Sequence, residues 1–397
     1  MKTQKFLFFG TLIMVMAFAA VLAGCATTGS ISPSQTAEDP AAQLAAEINA
    51  IKAGSAVAEG GTVRLTGDVQ ITGRLTVPAG VTFTVPASVT LDITAEGARL
   101  DLGDVTLTVD GTVNARGHGD QSEEGIKING GTVVINGSGN IRLQSKGRLL
   151  RILKDKKLTL DGVTLVGLAD NDDVLVAAAE GGTFIMKSGA ITGNTNNSEK
   201  RRGGGVLVGD DSGTFIMEGG TISGNITKCS NGGGGVYVNG KATFTMSGGT
   251  ISGNTVRSDG EYSGDGGGVA LEGGAAFTMT GGTISDNTAG DSGGGVLAIH
   301  GASFTMQGGT ISGNNAPKFG GVLVHVHSTF IMEGGTIYGA AEGANANTAK
   351  ETAALGTLAG GQAKWGSGGT YTKGGVPQSG GSDIGRSDDT LIAVPAK

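Results

Sequence analysis

The chain has 397 residues, of which 76 are Gly, while aromatic residues make up 4% and charged residues 16%. Glycine so far above its usual ~7%, with so few aromatics, excludes a wide globular core, and the absence of a strict three-residue glycine period excludes collagen. The formal net charge of −7, with no long basic run, excludes a nucleic-acid partner, because phosphate contacts need clustered Lys and Arg.

In chain order, Lys2 and Lys5 precede an almost wholly apolar run from Phe6 to Val21, followed by Leu22-Ala23-Gly24-Cys25. This is the layout of a secretory signal over 1–24. The last four residues resemble the lipobox of bacterial lipoproteins. The resemblance implies cleavage before Cys25, lipidation of its thiol and acylation of the new N-terminus, palmitate included. With Ala at 26, it further implies an outer-membrane or cell-surface location. Several acyl chains on one residue anchor stably, at ~0.8 kcal/mol per buried methylene. Cys229, the other cysteine, then has no partner in the chain and reads as a spare thiol in a polar loop.

Residues 25–40 are rich in Ser, Thr, Gly and Pro and read as a flexible tether. Residues 41–60 hold a capping helix and lead-in. Across 41–53, Leu44, Ile48 and Ile51 fall on one helical side. Such a helix shields the first coil of a solenoid. From 61 to 181 short alternating stretches such as Val63-Arg64-Leu65 and Val105-Thr106-Leu107-Thr108-Val109 predict irregular β coils.

Residues 182–339 repeat clearly. Phe184, Phe215, Phe244, Phe277, Phe304 and Phe330 are each followed two residues later by Met. A G-T-I-type strand comes next, then Asn194, Asn225, Asn254, Asn287 or Asn314, then a Gly-rich turn and a V-x-V-like strand. This predicts three short strands per coil. Alternation places Phe244, Met246, Ile251, Val236 and Val238 inside, with Thr245 and Tyr237 outside. Like segments recurring in like order must stack in parallel, Phe on Phe and Asn on Asn, the asparagines forming a hydrogen-bonded ladder. Residues 340–397 lose the repeat and read as a C-terminal cap with a loose tail.

These copies are similar to right-handed parallel β-helices of the pectate-lyase-like class, especially to Gly-rich repeat proteins of bacterial surfaces. They match more loosely the F-x-x-N and G-G-A-I motifs of polymorphic outer-membrane proteins. The resemblance implies a single-stranded, all-β, right-handed solenoid and an envelope location. It says little about activity.

The repeats vary in length almost wholly in one place, the separation from the V-x-V strand to the next Phe being eight or nine residues. From Phe to Asn the separation is always ten residues, whereas from Asn to the next V-x-V strand it is 12, 11, 15, 9 or 8. The variable loops therefore stack along one edge. They carry Lys200, Arg201, Arg202, Lys228, Arg257, Asp259, Glu261, Tyr262, Asp265, Lys318 and Phe319. A fixed scaffold showing variable polar loops suits ligand contact, here a glycan or a host or surface protein. The competing reading is that solenoid corners simply tolerate insertions.

Polysaccharide lyases and hydrolases share the implied fold, so an enzyme is the alternative, and a purely structural envelope component is a third. Hydrolysis needs paired carboxylates. Asp170, Asp172 and Asp173 form the best acidic cluster, and Arg116-Gly117-His118-Gly119-Asp120 supplies a His-Gly element, but in an order opposite to that of the polygalacturonase-type enzymes. The acidic cluster reads as a solvated loop. Asp210-Asp211 are acids suited at most to weak Ca²⁺ binding, and His300, His325 and His327 are too few for a metal site. With no G-x-S-x-G, Walker or C-x-x-C motif, no catalytic residue, metal or other cofactor is expected. The Thr-x-Ser rows at Thr221/Ser223, Thr250/Ser252, Thr283/Ser285 and Thr310/Ser312 resemble the hydroxyl ladders of ice-binding β-helices, though ordinary outward strand polarity explains them.

Overall fold

The protein is described from a computed structural model covering residues 39–119, 124–209, 212–230, 232–258, 264–324, 327–338 and 345–349, with the backbone of strands 355–357, 362–373 and 376–379. Cys25 lies outside the described residues.

The helix spans Pro40–Ile51. The Asp39 carboxylate accepts from the Ala41 N–H at 3.0 Å, and Pro40 begins the helix where its missing N–H costs nothing. Ala41, Leu44, Ala45 and Ile48 are buried. Ile51, which periodicity places with Leu44 and Ile48, is 44% exposed, because the helix ends there and Lys52 turns the chain into an extended conformation. The helix packs on strands Ala56–Glu59 and Thr62–Leu65, which form an antiparallel hairpin. A second antiparallel hairpin, Gln362–Lys373 with Val376–Ser379, lies at the other end of the strand series. Between the two, strand pairs with strand in parallel and each coil rests on the one before it, giving a parallel β-solenoid with one short N-terminal helix.

The repeat sets the register. Phe184, Phe215, Phe244, Phe277, Phe304 and Phe330 pair successively across neighbouring strands, and all are at most 1% exposed. Their rings stack with centroids 4.5 to 5.0 Å apart. That distance is the spacing of hydrogen-bonded strands, about 4.8 Å, so the backbone ladder itself brings the rings into contact. Each stacked pair contributes roughly 0.5–1.5 kcal/mol beyond area burial. Val133 and Leu158 continue the column into the earlier coils, where aliphatic side chains replace Phe. Leu165, Ile191, Ile222, Ile251, Ile284, Ile311 and Ile337 form a second inward column. Leu150, Val176, Val206, Val236, Val269, Val296 and Val322 form a third.

Three strands per coil is one too few. A two-residue strand follows each Asn: Thr195–Asn196, Ile226–Thr227, Thr255–Val256, Thr288–Ala289 and Asn315–Ala316. The second residue of each is buried. A pair is too short to show alternation, so this strand is hidden inside what reads as loop.

The asparagines hold the bend between the second strand and this short one. Each is fully buried. Asn225 donates through Nδ2 to Oδ1 of Asn254 at 3.1 Å, Asn254 to Asn287 at 3.0 Å, Asn287 to Asn314 at 2.9 Å, and Asn314 to Asn347 at 2.9 Å. The same Oδ1 atoms accept the preceding asparagine's backbone N–H. Asn171 extends the row at its other end, donating to Asn194 at 2.9 Å. Each amide thus satisfies its own polar atoms and a backbone N–H at a buried corner.

Replacing Asn254 by Ala leaves the Asn225 N–H and amide and the Ile222 carbonyl without this partner. At roughly 1–3 kcal/mol per stranded buried group, we expect a local destabilisation of about 3 kcal/mol or more. Native-state hydrogen exchange should show the loss first in the coils holding Asn225 and Asn254, and unchanged protection there would refute it.

Candidate functional site

The corner after the short strand is shaped by glycine. Three residues before the first Val of each V-x-V strand, the backbone is left-handed: φ is +89° at Gly203, +58° at Gly233, +76° at Gly266 and +66° at Gly293. Gly204 has a second constraint, since a Cβ there would stand 2.2 Å from the Gly234 carbonyl of the next coil. The triple glycine therefore turns the chain and lets coil backbones approach closely.

In the last of these corners the left-handed position is Phe319, with φ +54°. Its side chain is 2% exposed and packs in a cluster with Tyr237, Ala270, Leu297, Ile299 and Leu323. These are the outward residues of the V-x-V face, and the corner segments cover them. Tyr237, placed outside by alternation, does point away from the solenoid core, but it is only 2% exposed. Phe319, placed on the contact edge by the sequence, is likewise part of this outer cluster and is not displayed. Its burial offsets the ~1 kcal/mol or more that a non-glycine residue costs in a left-handed conformation.

The variable-edge residues divide accordingly. Arg257 and Lys200 are exposed, and Lys228 and Lys318 are half-buried. The Lys318 ammonium lies 3.3 Å from Asp291. Asp265 is 9% exposed and belongs to the covered side of the corner. Asp259, Glu261 and Tyr262 lie outside the described residues, as do Asp210, Asp211 and His325. Cys229 is buried, with Sγ donating to the Glu199 carbonyl at 3.1 Å, and burial pushes its thiol pKa up.

Lys200, Arg201 and Arg202 converge. With Arg148, Asp173, Leu207, Tyr237 and Asn239 they line a recess of about 360 Å³ on the V-x-V face. Leu207 pairs with Ala177 on one side and with Tyr237 on the other, so two of the lining residues are neighbours on the outward side of the V-x-V strands.

Asp173 is 1% exposed, not part of a solvated loop. Arg148 reaches its Oδ1 at 3.2 Å, and Arg201 contacts its Oδ2. Asp170 and Asp172 stay exposed, so the three aspartates form no common site. The backbones of His118 and Arg148 exchange hydrogen bonds at 2.9 and 3.0 Å. The His-Gly segment is thus brought beside the coil bearing Asp173, a proximity that sequence separation concealed. Arg202 contacts Glu272 and the Tyr237 hydroxyl, and its guanidinium lies 5.3 Å from the centre of the Tyr237 ring. Tyr237 donates to Glu272 at 2.6 Å, and His300 lies 3.2 Å from the other oxygen of Glu272. Burial, opposed by Arg202, pushes the Tyr237 pKa up to about 12, so the phenol is a donor at any physiological pH.

Among the described residues no group of three or more His, Cys, Asp or Glu is arranged to hold a metal ion, and no helix is long and apolar enough to cross a membrane. No protein-family model, curated protein or solved structure matches the chain.

Burial raises the pKa of Asp173 more than Arg148 and Arg201 lower it. The protonated form is therefore favoured by folding, and this contribution is complete below about 3.9, the unfolded value, and lost as pH climbs through the raised one. Asp173→Asn removes this titration, so the wild type should gain stability relative to the variant as pH falls from about 7 towards about 4. Urea midpoints of both proteins at the two pH values check this. A difference between them that does not change with pH would reject the raised pKa.

Proposed function

We propose that the protein is a lipid-anchored, surface-displayed binding scaffold, a right-handed β-helix of the pectate-lyase-like class that contacts a glycan or a surface protein through its variable edge and does no chemistry of its own. One observation carries this reading. Nearly all the variation in coil length falls at the corner between Asn and the V-x-V strand, and the basic residues of one such corner converge on a surface recess. The anchor is supported by the Leu22-Ala23-Gly24-Cys25 sequence. Binding rather than catalysis is supported by the state of Asp173, whose two oxygens face two arginines. A carboxylate so engaged serves as a counter-ion.

Deleting residues 258–263 shortens the longest corner from 15 residues to nine, the separation the following coil already tolerates. We expect unfolding to change little while binding on a glycan and surface-protein array weakens by about tenfold, or roughly 1.4 kcal/mol. Undiminished binding after this and equivalent deletions at 198–201 would reject the edge as the contact surface. For the anchor, Cys25→Ser should abolish palmitate incorporation and move the protein from the membrane to the soluble fraction. Persistent labelling would place the lipid elsewhere.

A further inference from the structure

Each coil is tied to the next by hydrogen-bonded strands on at least three faces, with one exception. On the first two faces the parallel ladders run unbroken from the earliest coil to the last. The third face is split into two separate sheets. Strand Gly125–Ile128 pairs back onto Arg99–Leu102, which also pairs with Arg74–Val77. Strand Leu150–Ile152 pairs forward onto Val176–Ala179 and begins an eight-stranded sheet. Gly125–Ile128 and Leu150–Ile152 are neighbours, yet no ladder joins them among the described residues.

Other contacts cross this break. The His118 N–H donates to the Arg148 carbonyl at 2.9 Å, and the Arg148 N–H donates to the His118 carbonyl at 3.0 Å. The Gly117 N–H donates to Ser145 Oγ at 3.0 Å. A Cβ at Gly117 would stand 2.5 Å from the Lys146 carbonyl, so the crossing segments meet backbone to backbone. Arg148 is fastened to the later coils through Asp173, whereas His118 belongs to the earlier ones. Ile126, Ile128, Leu150 and Ile152 are buried, so apolar packing continues through the break. Such packing is non-directional: it holds the two sides together without fixing their angle.

The devices that lock later coils begin beyond this interface, the amide row at Asn171 and the ring stack at Phe184. On the first two faces the ladders do cross it, joining Val134–Asn136 to Thr106–Thr108 and Asn140–Leu143 to Thr112–Ala115. Two faces bonded and a third only packed is the arrangement of a hinge, with the continuous sheet as its leaf.

We propose that the solenoid consists of two rigid stacks, residues 56–128 and 132–349, which hinge at this interface, open on the third face and are closed by the His118–Arg148 bridge. The motion tilts the coils that carry the variable edge against the N-terminal coils. It is independent of what that edge binds.

Pulsed dipolar distances between spin labels on the full chain in mild detergent, in a Cys229→Ser background, test this. Thr76→Cys with Lys154→Cys brackets the break at the third face. Lys154→Cys with Lys241→Cys lies within the later stack, and Arg64→Cys with Thr132→Cys spans the break on the first face. All of these positions are exposed, and the members of each pair are three coils apart. The first pair should give a distance distribution at least about twice as wide as either of the others. Gly117→Ala, which forces the crossing segments apart, should widen the first pair further and leave the other two unchanged. Equal widths in all three pairs would overturn the hinge, as would a first pair that Gly117→Ala leaves unaltered. A within-stack pair as broad as the first would mean bending spread over all coils, and would equally reject it. Should Gly117→Ala fail to fold, the three pairs in the otherwise unchanged chain still decide the question.

Discussion

Everything in this protein hangs on the spacing between hydrogen-bonded strands, about 4.8 Å. Once coils stack in register at that interval, identical side chains must meet, and only those that tolerate meeting themselves can occupy a column. Phenylalanine meets itself face to face at van der Waals distance. Asparagine meets itself as a donor facing an acceptor. Glycine alone permits the backbone contact at the corner. The composition that looked unsuited to a core, rich in Gly and poor in aromatics, is what a core one residue wide and many coils long requires.

The same geometry explains how a rigid object carries variety. Inward columns are fixed by self-contact, so change is admitted only where a coil touches solvent. The corner beyond the short fourth strand is such a place, but it is not free surface throughout. Its triple glycine and the outer cluster around Tyr237 and Phe319 fasten its base. Variation at the edge is filtered by packing before it reaches the surface.

The regular coils were legible because their inward residues are both identical and alternating. The earlier coils were read only as irregular strands, since the Phe column gives way there to Val133 and Leu158. Asn171 and Asn347 escaped notice for a related reason: each lies in a coil lacking the flanking motif, though both join the amide row. The recess was half legible. Lys200, Arg201 and Arg202 stood out as a basic corner, but Arg148 and Asp173 come from preceding coils, and no local pattern announces which coils are neighbours. Burial was the least legible property. Tyr237, Phe319 and Asp173 sit under cover that arrives from other parts of the chain.

The two antiparallel hairpins have a bearing on how such a molecule behaves in a crowd. A stack of parallel strands is, at each end, a template onto which another copy could add, as at the tip of a growing fibril. Here the first coil is met by a strand running the opposite way, Ala56–Glu59, with the helix Pro40–Ile51 laid against it. A reversed strand likewise follows Gln362–Lys373. At this sheet an incoming coil would find the polarity wrong, which disfavours the addition of another copy there.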